Sequence, residues 1–175
     1  MKRIALISTG GTIEKTYDDL SGVLANNVSV LDVMLASLEL RGVSIRRVAL
    51  MNKDSIEMSA ADHTLIAETA IKLARESDGV VVVHGTDRLA ISGERVVELA
   101  GGATGPAVGA PIVFTGAMRP YELRSTDALQ NLTEALLAAQ ILTAGVYVVM
   151  HDQVLQFPGV IKDRSAGTFV KPGGE

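Results

Sequence analysis

The sequence contains no cysteine. Thiolate nucleophiles, cysteine-ligated zinc, iron–sulfur clusters and a disulfide framework are therefore excluded. An excess of positive charge is also missing: Lys and Arg total 16 against 20 Asp and Glu, a net charge of -4, so there is no electrostatic footprint for a nucleic-acid partner. Long apolar runs are absent too. The stretch Ile4 to Ile7 behind Met1-Lys2-Arg3 is too short for the core of a signal peptide and breaks at a polar, glycine-rich turn. The start reads as a first strand, with no membrane partner and a cytoplasmic location expected. What remains has the balance of a globular domain, 47% hydrophobic and 21% charged over 175 residues. That is enough for one domain with a core needing no clips.

Short apolar runs at Arg3 to Ser8, Ser44 to Leu50, Gly79 to His84, Ile112 to Thr115 and Val146 to Met150, several rich in valine and isoleucine, read as strands buried on both faces. Helical patterns lie between them. Ser29 to Asp32 and Ser59 to Asp62 have capping-box spacing with Asp in place of Glu, and Ser125 or Thr126 can cap the periodic stretch Leu129 to Leu142. The alternation predicts a single α/β domain, doubly wound, with a mostly parallel sheet flanked by helices. Two segments, Ile13 to Asn27 and Gly101 to Gly109, fit no regular element; the first is the candidate lid.

Segments carrying hydroxyls, carboxylates or glycines close four of the strands: Ser8-Thr9-Gly10-Gly11-Thr12, Asn52-Lys53-Asp54-Ser55, His84-Gly85-Thr86-Asp87 and Thr115-Gly116-Ala117-Met118-Arg119-Pro120. In an open α/β sheet ligands bind beyond the carboxyl ends of the strands, so the four should converge on one site. The first lacks both the Walker A and the G-x-G-x-x-G spacing, which argues against a phosphate cradle. His84, His151 and Asp152 fall near strand ends, but no H-x-x-x-H or H-E-x-x-H spacing is present, so no metal is expected. His63 reads as an exposed helix residue, the six methionines as core, and Arg41, Arg46 and Arg47 as a solvated face or subunit contact. By residue type alone, Thr12 and Thr86 are candidate nucleophiles or turn residues, Asp87 a helix cap, Lys162 a surface lysine, Ser55 a loop hydroxyl and Tyr17 an aromatic lid contact.

Together, Thr9-Gly10-Gly11-Thr12-Ile13, Asp54-Ser55 with Met58, Val82-Val83-His84-Gly85-Thr86-Asp87, Thr115 to Pro120, and more loosely Thr126-Asp127-Ala128-Leu129-Gln130-Asn131-Leu132, resemble the bacterial-type L-asparaginase family, in its order and over essentially the whole chain. An amide is a poor electrophile, so its hydrolysis calls for an activated hydroxyl and fixed donors for the oxyanion. The resemblance implies that Thr12 is a nucleophile with Tyr17 beside it. It also implies that Thr86 is activated through Lys162, with Asp87 orienting the lysine and holding the substrate's α-ammonium. Ser55 would bind the α-carboxylate, and backbone groups of Gly11, Gly85 and Ala117 would grip the ligand. No cofactor or metal is implied; the substrate would be L-asparagine, the products L-aspartate and ammonia, and the assembly a homo-oligomer of two or more copies.

Residues 1–175 correspond in this resemblance to the family's N-terminal catalytic domain, and a short-chain form without the second, smaller domain of full-length relatives is expected. Ile56 where a polar residue is usual, Arg88 where threonine is usual, and Thr126-Asp127-Ala128 for Ser-Asp-Gly are departures. Two other readings stand beside the hydrolase: a non-catalytic module that senses asparagine, and an amidase subunit completed by a partner protein, as in tRNA-linked amidotransferases.

Overall fold

The computed structural model describes residues 1–102, 104–105 and 108–173. Ala103, Pro106 and Ala107, within the segment expected to be a glycine-rich loop, lie outside the described residues. A six-stranded sheet runs through the molecule in the order β4-β1-β5-β6-β7-β8: β1 Lys2–Gly10, β4 Val43–Lys53, β5 Gly79–Val83, β6 Ile112–Thr115, β7 Val146–Met150 and β8 Gln153–Gln156. The first five are parallel. They are the five apolar runs of the sequence, and the expected fold class holds. β8 is an addition, antiparallel to β7 and joined to it through His151 and Asp152, both at positive φ. Its alternation is too weak to read as a strand, since it is an edge with Gln153 and Val154 exposed.

The two faces of the sheet sort by strand parity. Ala5, Ile7, Val80, Val82, Ile112 and Phe114 point to one core with helices α2 (Ala60–Glu76) and α3 (Leu89–Ala100). Ile4, Leu6, Val81, Val83 and Val113 point to the other, against α1 (Leu31–Ala36) and α4 (Ala128–Ile141). Adjacent strand residues face opposite sides, so continuous apolar runs fill both cores at once.

α2 begins at the expected capping box: Ser59 Oγ accepts from the Asp62 N–H, and the Asp62 carboxylate accepts from the Ser59 N–H at 2.8 Å. Ser29 does not cap α1. Val30 holds that position, Ser29 Oγ accepts only a long 3.4 Å bond from the Leu31 N–H, and the Asp32 carboxylate pairs with Arg47 instead of closing a box. Asp127 is the residue before α4, and Thr126 Oγ1 still accepts from the Ala128 N–H at 3.0 Å, whereas Ser125 takes no part.

Ile13 to Asn27 is not irregular throughout. A 3-10 turn at Thr12–Glu14 is followed by a hairpin, β2 Thr16–Asp18 antiparallel to β3 Val23–Ala25. A second hairpin, β9 Ile161–Asp163 with β10 Thr168–Val170, stands outside the main sheet and was not visible in the sequence. Strands of three residues are too short for a period to register.

Candidate active site

β4 lies on one side of β1 and β5 on the other, so the chain leaves the ends of β1 and β5 in opposite directions and opens a crevice between them. Gly11 and Gly85 face each other there. A Cβ on Gly11 would fall on the Cα and N of Gly85, and a Cβ on Gly85 would stand 2.6 Å from Ser55 Oγ, so only glycine allows the two backbones and Ser55 to stack. Gly116, at the end of β6, is equally close to the His84 carbonyl, and its Cβ position would lie 3.2 Å from Thr86 Cγ2. Gly11, Ser55, Gly85, Thr86 and the Gly116-Ala117 turn are thus brought together at one sheet edge, with Thr12 directly following Gly11.

Lys162 closes this edge. Its Nζ donates to Thr86 Oγ1 at 2.8 Å and to Asp87 Oδ1 at 3.0 Å, from β9, more than seventy residues away in sequence. Thr86 is only 4% exposed, and the Lys162 and Asp87 side chains are mostly covered. Arg164 Nη2, which sequence reasoning did not single out, lies 3.5 Å from the same Asp87 oxygen. Ser55 Oγ is buried without a hydrogen-bond partner. Such a group carries a desolvation cost that only a ligand or a bound water relieves.

Tyr17 stands apart from this cluster. It lies on β2, 58% exposed, over a hollow shared with Gly22, Leu24, Glu122 and Leu123, and no hydrogen bond joins it to Thr12 among the described residues. The hairpin is tied down at its base, where Lys15 Nζ donates to Asp54 at 2.7 Å and Asn26 Nδ2 to the Gly11 carbonyl at 2.8 Å. Of the two departures near the site, Ile56 is exposed, and Arg88 turns outward to donate to the Met58 carbonyl at 2.7 Å, in a groove between α2 and α3.

Behind the crevice two histidines are buried in series. The Gly85 carbonyl can only accept, so His84 Nδ1, 2.8 Å away, carries the proton. Its Nε2 then accepts from Ser92 Oγ at 2.8 Å, and the Ser92 oxygen accepts from His63 Nδ1 at 2.7 Å. Burial holds His84 well below the usual imidazole range, at about 4, and burial with the nearby Arg88 lowers His63 as well. The expectation that His63 is an exposed helix residue is therefore wrong. It shares a helix face with the buried Ile66, Ala67 and Ala70, three, four and seven positions on, and that spacing was the signal available.

The loop after β6 is clamped from below. Asp127 accepts from the Met118 and Arg119 N–H groups, each at 2.9 Å, and from His151 Nε2 at 2.8 Å. Burial alone would raise its pKa, but these bonds hold it below the ordinary carboxylate range. Asn131, fully buried, donates to the Gly116 carbonyl and to Asp127. No group of three or more His, Asp or Glu with metal-binding geometry occurs among the described residues. No helix among them is long and apolar enough to cross a membrane.

A mostly parallel sheet with a threonine, a lysine and a carboxylate gathered beyond its carboxyl ends places the molecule among the open α/β proteins, the class in which small ligands bind at the switch point. Residues 3–169 match the family model "Asparaginase, N-terminal", and the chain belongs to the asparaginase family, whose members are amidohydrolases. The L-asparaginase of Thermococcus kodakarensis is 30% identical over 167 residues, covering 94% of this chain and 49% of that protein. A subunit of the glutamyl-tRNA(Gln) amidotransferase of Haloquadratum walsbyi is 34% identical over 150 residues, 85% of this chain and 33% of that one. Among solved structures, the thermostable L-asparaginase from T. kodakarensis superposes with a TM-score of 0.83 at 28% identity, over 97% of this chain and 51% of that one. A probable cytoplasmic L-asparaginase from Campylobacter jejuni does so with a TM-score of 0.77 at 29% identity, over 98% and 52%. The chain thus spans between a third and about half the length of the relatives it matches.

Proposed function

We propose that the protein hydrolyses the side-chain amide of L-asparagine to L-aspartate and ammonia with a threonine nucleophile. The observation that carries this reading is Lys162 Nζ at 2.8 Å from Thr86 Oγ1 with Asp87 on its other side. The lysine serves as base toward a hydroxyl or toward water poised by it, and Asp87 holds the amine in line. Asp87 has a second oxygen free to take the substrate's α-ammonium. The unpartnered Ser55 hydroxyl is the donor for the α-carboxylate, and the glycine-bared backbone at Gly11, Gly85 and Ala117 fits around ligand and oxyanion. Thr12 is the second nucleophile candidate, with Tyr17 reaching it when the hairpin folds down. Neither metal nor cofactor has a step in this chemistry. A homo-oligomer, with a partner's surface over the crevice, supplies the shielding from water that an amide hydrolase needs.

A second reading has support of its own, because several relatives are named as amidotransferase subunits. In it the same site acts as an amidase within a larger assembly. Ammonia release by the purified chain from free asparagine separates the two. Turnover of asparagine that falls by orders of magnitude in both Thr12→Ala and Thr86→Ala supports the hydrolase. Release only in the presence of a partner protein would favour the subunit, and full turnover in either variant would remove that threonine from the mechanism.

A further inference from the structure

The turn between β7 and β8 is two residues long, since Met150 pairs with Gln153, and both turn residues are left-handed, His151 at φ 54 and Asp152 at φ 61. Turns of this shape favour Asn-Gly, because a bulky side chain resists positive φ. A histidine is among the non-glycine residues that adopt this conformation, and its ring makes two ties across the molecule. Nε2 donates to Asp127, the carboxylate that clamps the Met118 and Arg119 N–H groups just beyond Ala117. Nδ1 in the neutral ring accepts from Thr168 Oγ1, 3.0 Å away. Thr168 is on β10, one residue before Phe169, which pairs with Lys162. The His151 backbone N–H also donates to Asn131 Oδ1 at 3.1 Å.

We propose that His151 is a positioning residue: it locks the ribbon that carries Lys162 to the loop that carries Ala117, and so fixes the reach of Lys162 Nζ to Thr86. The inference rests on the hydrolase reading. Nothing else among the described side chains bonds to both pieces. The β9–β10 ribbon shares no ladder with the main sheet, so its placement depends on such side-chain ties together with the packing of Phe169. The Ala117 loop keeps Asp127 and Asn131 when His151 is lost; the lysine end loses its tie to that loop and is left with the packing of Phe169, the bond from Lys171 Nζ to the Gln156 carbonyl and the contacts of Lys162 and Arg164 with Asp87.

His151→Gly tests this without straining the turn, because glycine is at ease at that φ. The expected result is a fall in kcat of about tenfold or more with KM for asparagine changed less than about threefold, since Ser55, Gly11 and Gly85 are untouched. Thr168→Val should give a smaller loss of the same kcat-only kind, and the double variant should be no worse than His151→Gly alone. Amide hydrogen exchange reads the tie without turnover: protection at 161–163 should drop in both variants while α2 keeps its own. Wild-type kcat in His151→Gly, additive losses in the double variant, or unchanged exchange at 161–163 would each overturn the proposal. Faster exchange in the variants of a chain that is inert on asparagine would instead overturn the hydrolase reading and leave the tie standing.

Discussion

At the scale of single residues, the two lysines most worth comparing are Lys162 and Lys72. Both look like surface lysines in the sequence. Lys72 is exposed on α2, whereas Lys162 is mostly covered and spends two hydrogen bonds on Thr86 and Asp87. Lys162→Met should cut kcat by between about 10² and 10⁴, the usual worth of a positioned general base. Lys72→Met should leave it unchanged; an equal effect of the two would make Lys162 a bystander. Composition and spacing alone carried no sign of this difference, and only resemblance to a family pointed to Lys162. Local sequence could not, because the partner threonine is brought to it by tertiary packing rather than by a period. Gly11 and Gly85 were legible as turn glycines, but that their backbones stack on one another and on Ser55 depends on the neighbouring placement of β1 and β5.

At the scale of elements, the strands legible in the sequence are those buried on both faces, because burial imposes a continuous apolar run. The hairpins and the edge strand β8 escaped for the opposite reason: they are half exposed and three or four residues long. In the proposed hydrolase the β2–β3 hairpin is the element with a functional consequence. It is anchored at its base by the Lys15–Asp54 and Asn26–Gly11 bonds, while Tyr17 and Leu20 above are exposed. The Tyr17 N–H also donates to the Glu122 carboxylate, so further closure has one surface bond to exchange; saturating L-aspartate should slow proteolytic nicking between Asp19 and Gly22, and Tyr17→Phe should lower kcat more than it raises KM. Gel analysis of timed digests checks the first part. A cleavage rate indifferent to the ligand would leave the hairpin a fixed wall.

At the scale of the whole molecule, the buried histidine pair makes stability depend on pH. His84 is neutral in the fold, at about 4, against an ordinary value of 6.5, so the unfolded chain takes up a proton that the native one refuses. The sign follows: this stability is complete above pH 6.5 and is lost as pH falls toward 4. It amounts to about 3 kcal/mol at 1.36 kcal/mol per unit. His63 is shifted in the same direction and adds to the slope. Urea denaturation between pH 7.5 and 4 should show the loss, and His84→Gln should flatten it; a variant with the wild-type slope would place the pH sensitivity elsewhere. The carboxylates held low by their hydrogen bonds, such as Asp62 at about 2, give up their share only in stronger acid, so the two windows separate. The lysine, meanwhile, sits on a ribbon that borrows no backbone bonds from the six-stranded sheet, and the tip of that ribbon, 164–166, is exposed with Arg164 leaning on Asp87. For an engineer this is a detachable rim: if the proposed hydrolase reading holds, libraries randomised at 164–166 should shift substrate preference while the scaffold that keeps the protein folded is left as it stands.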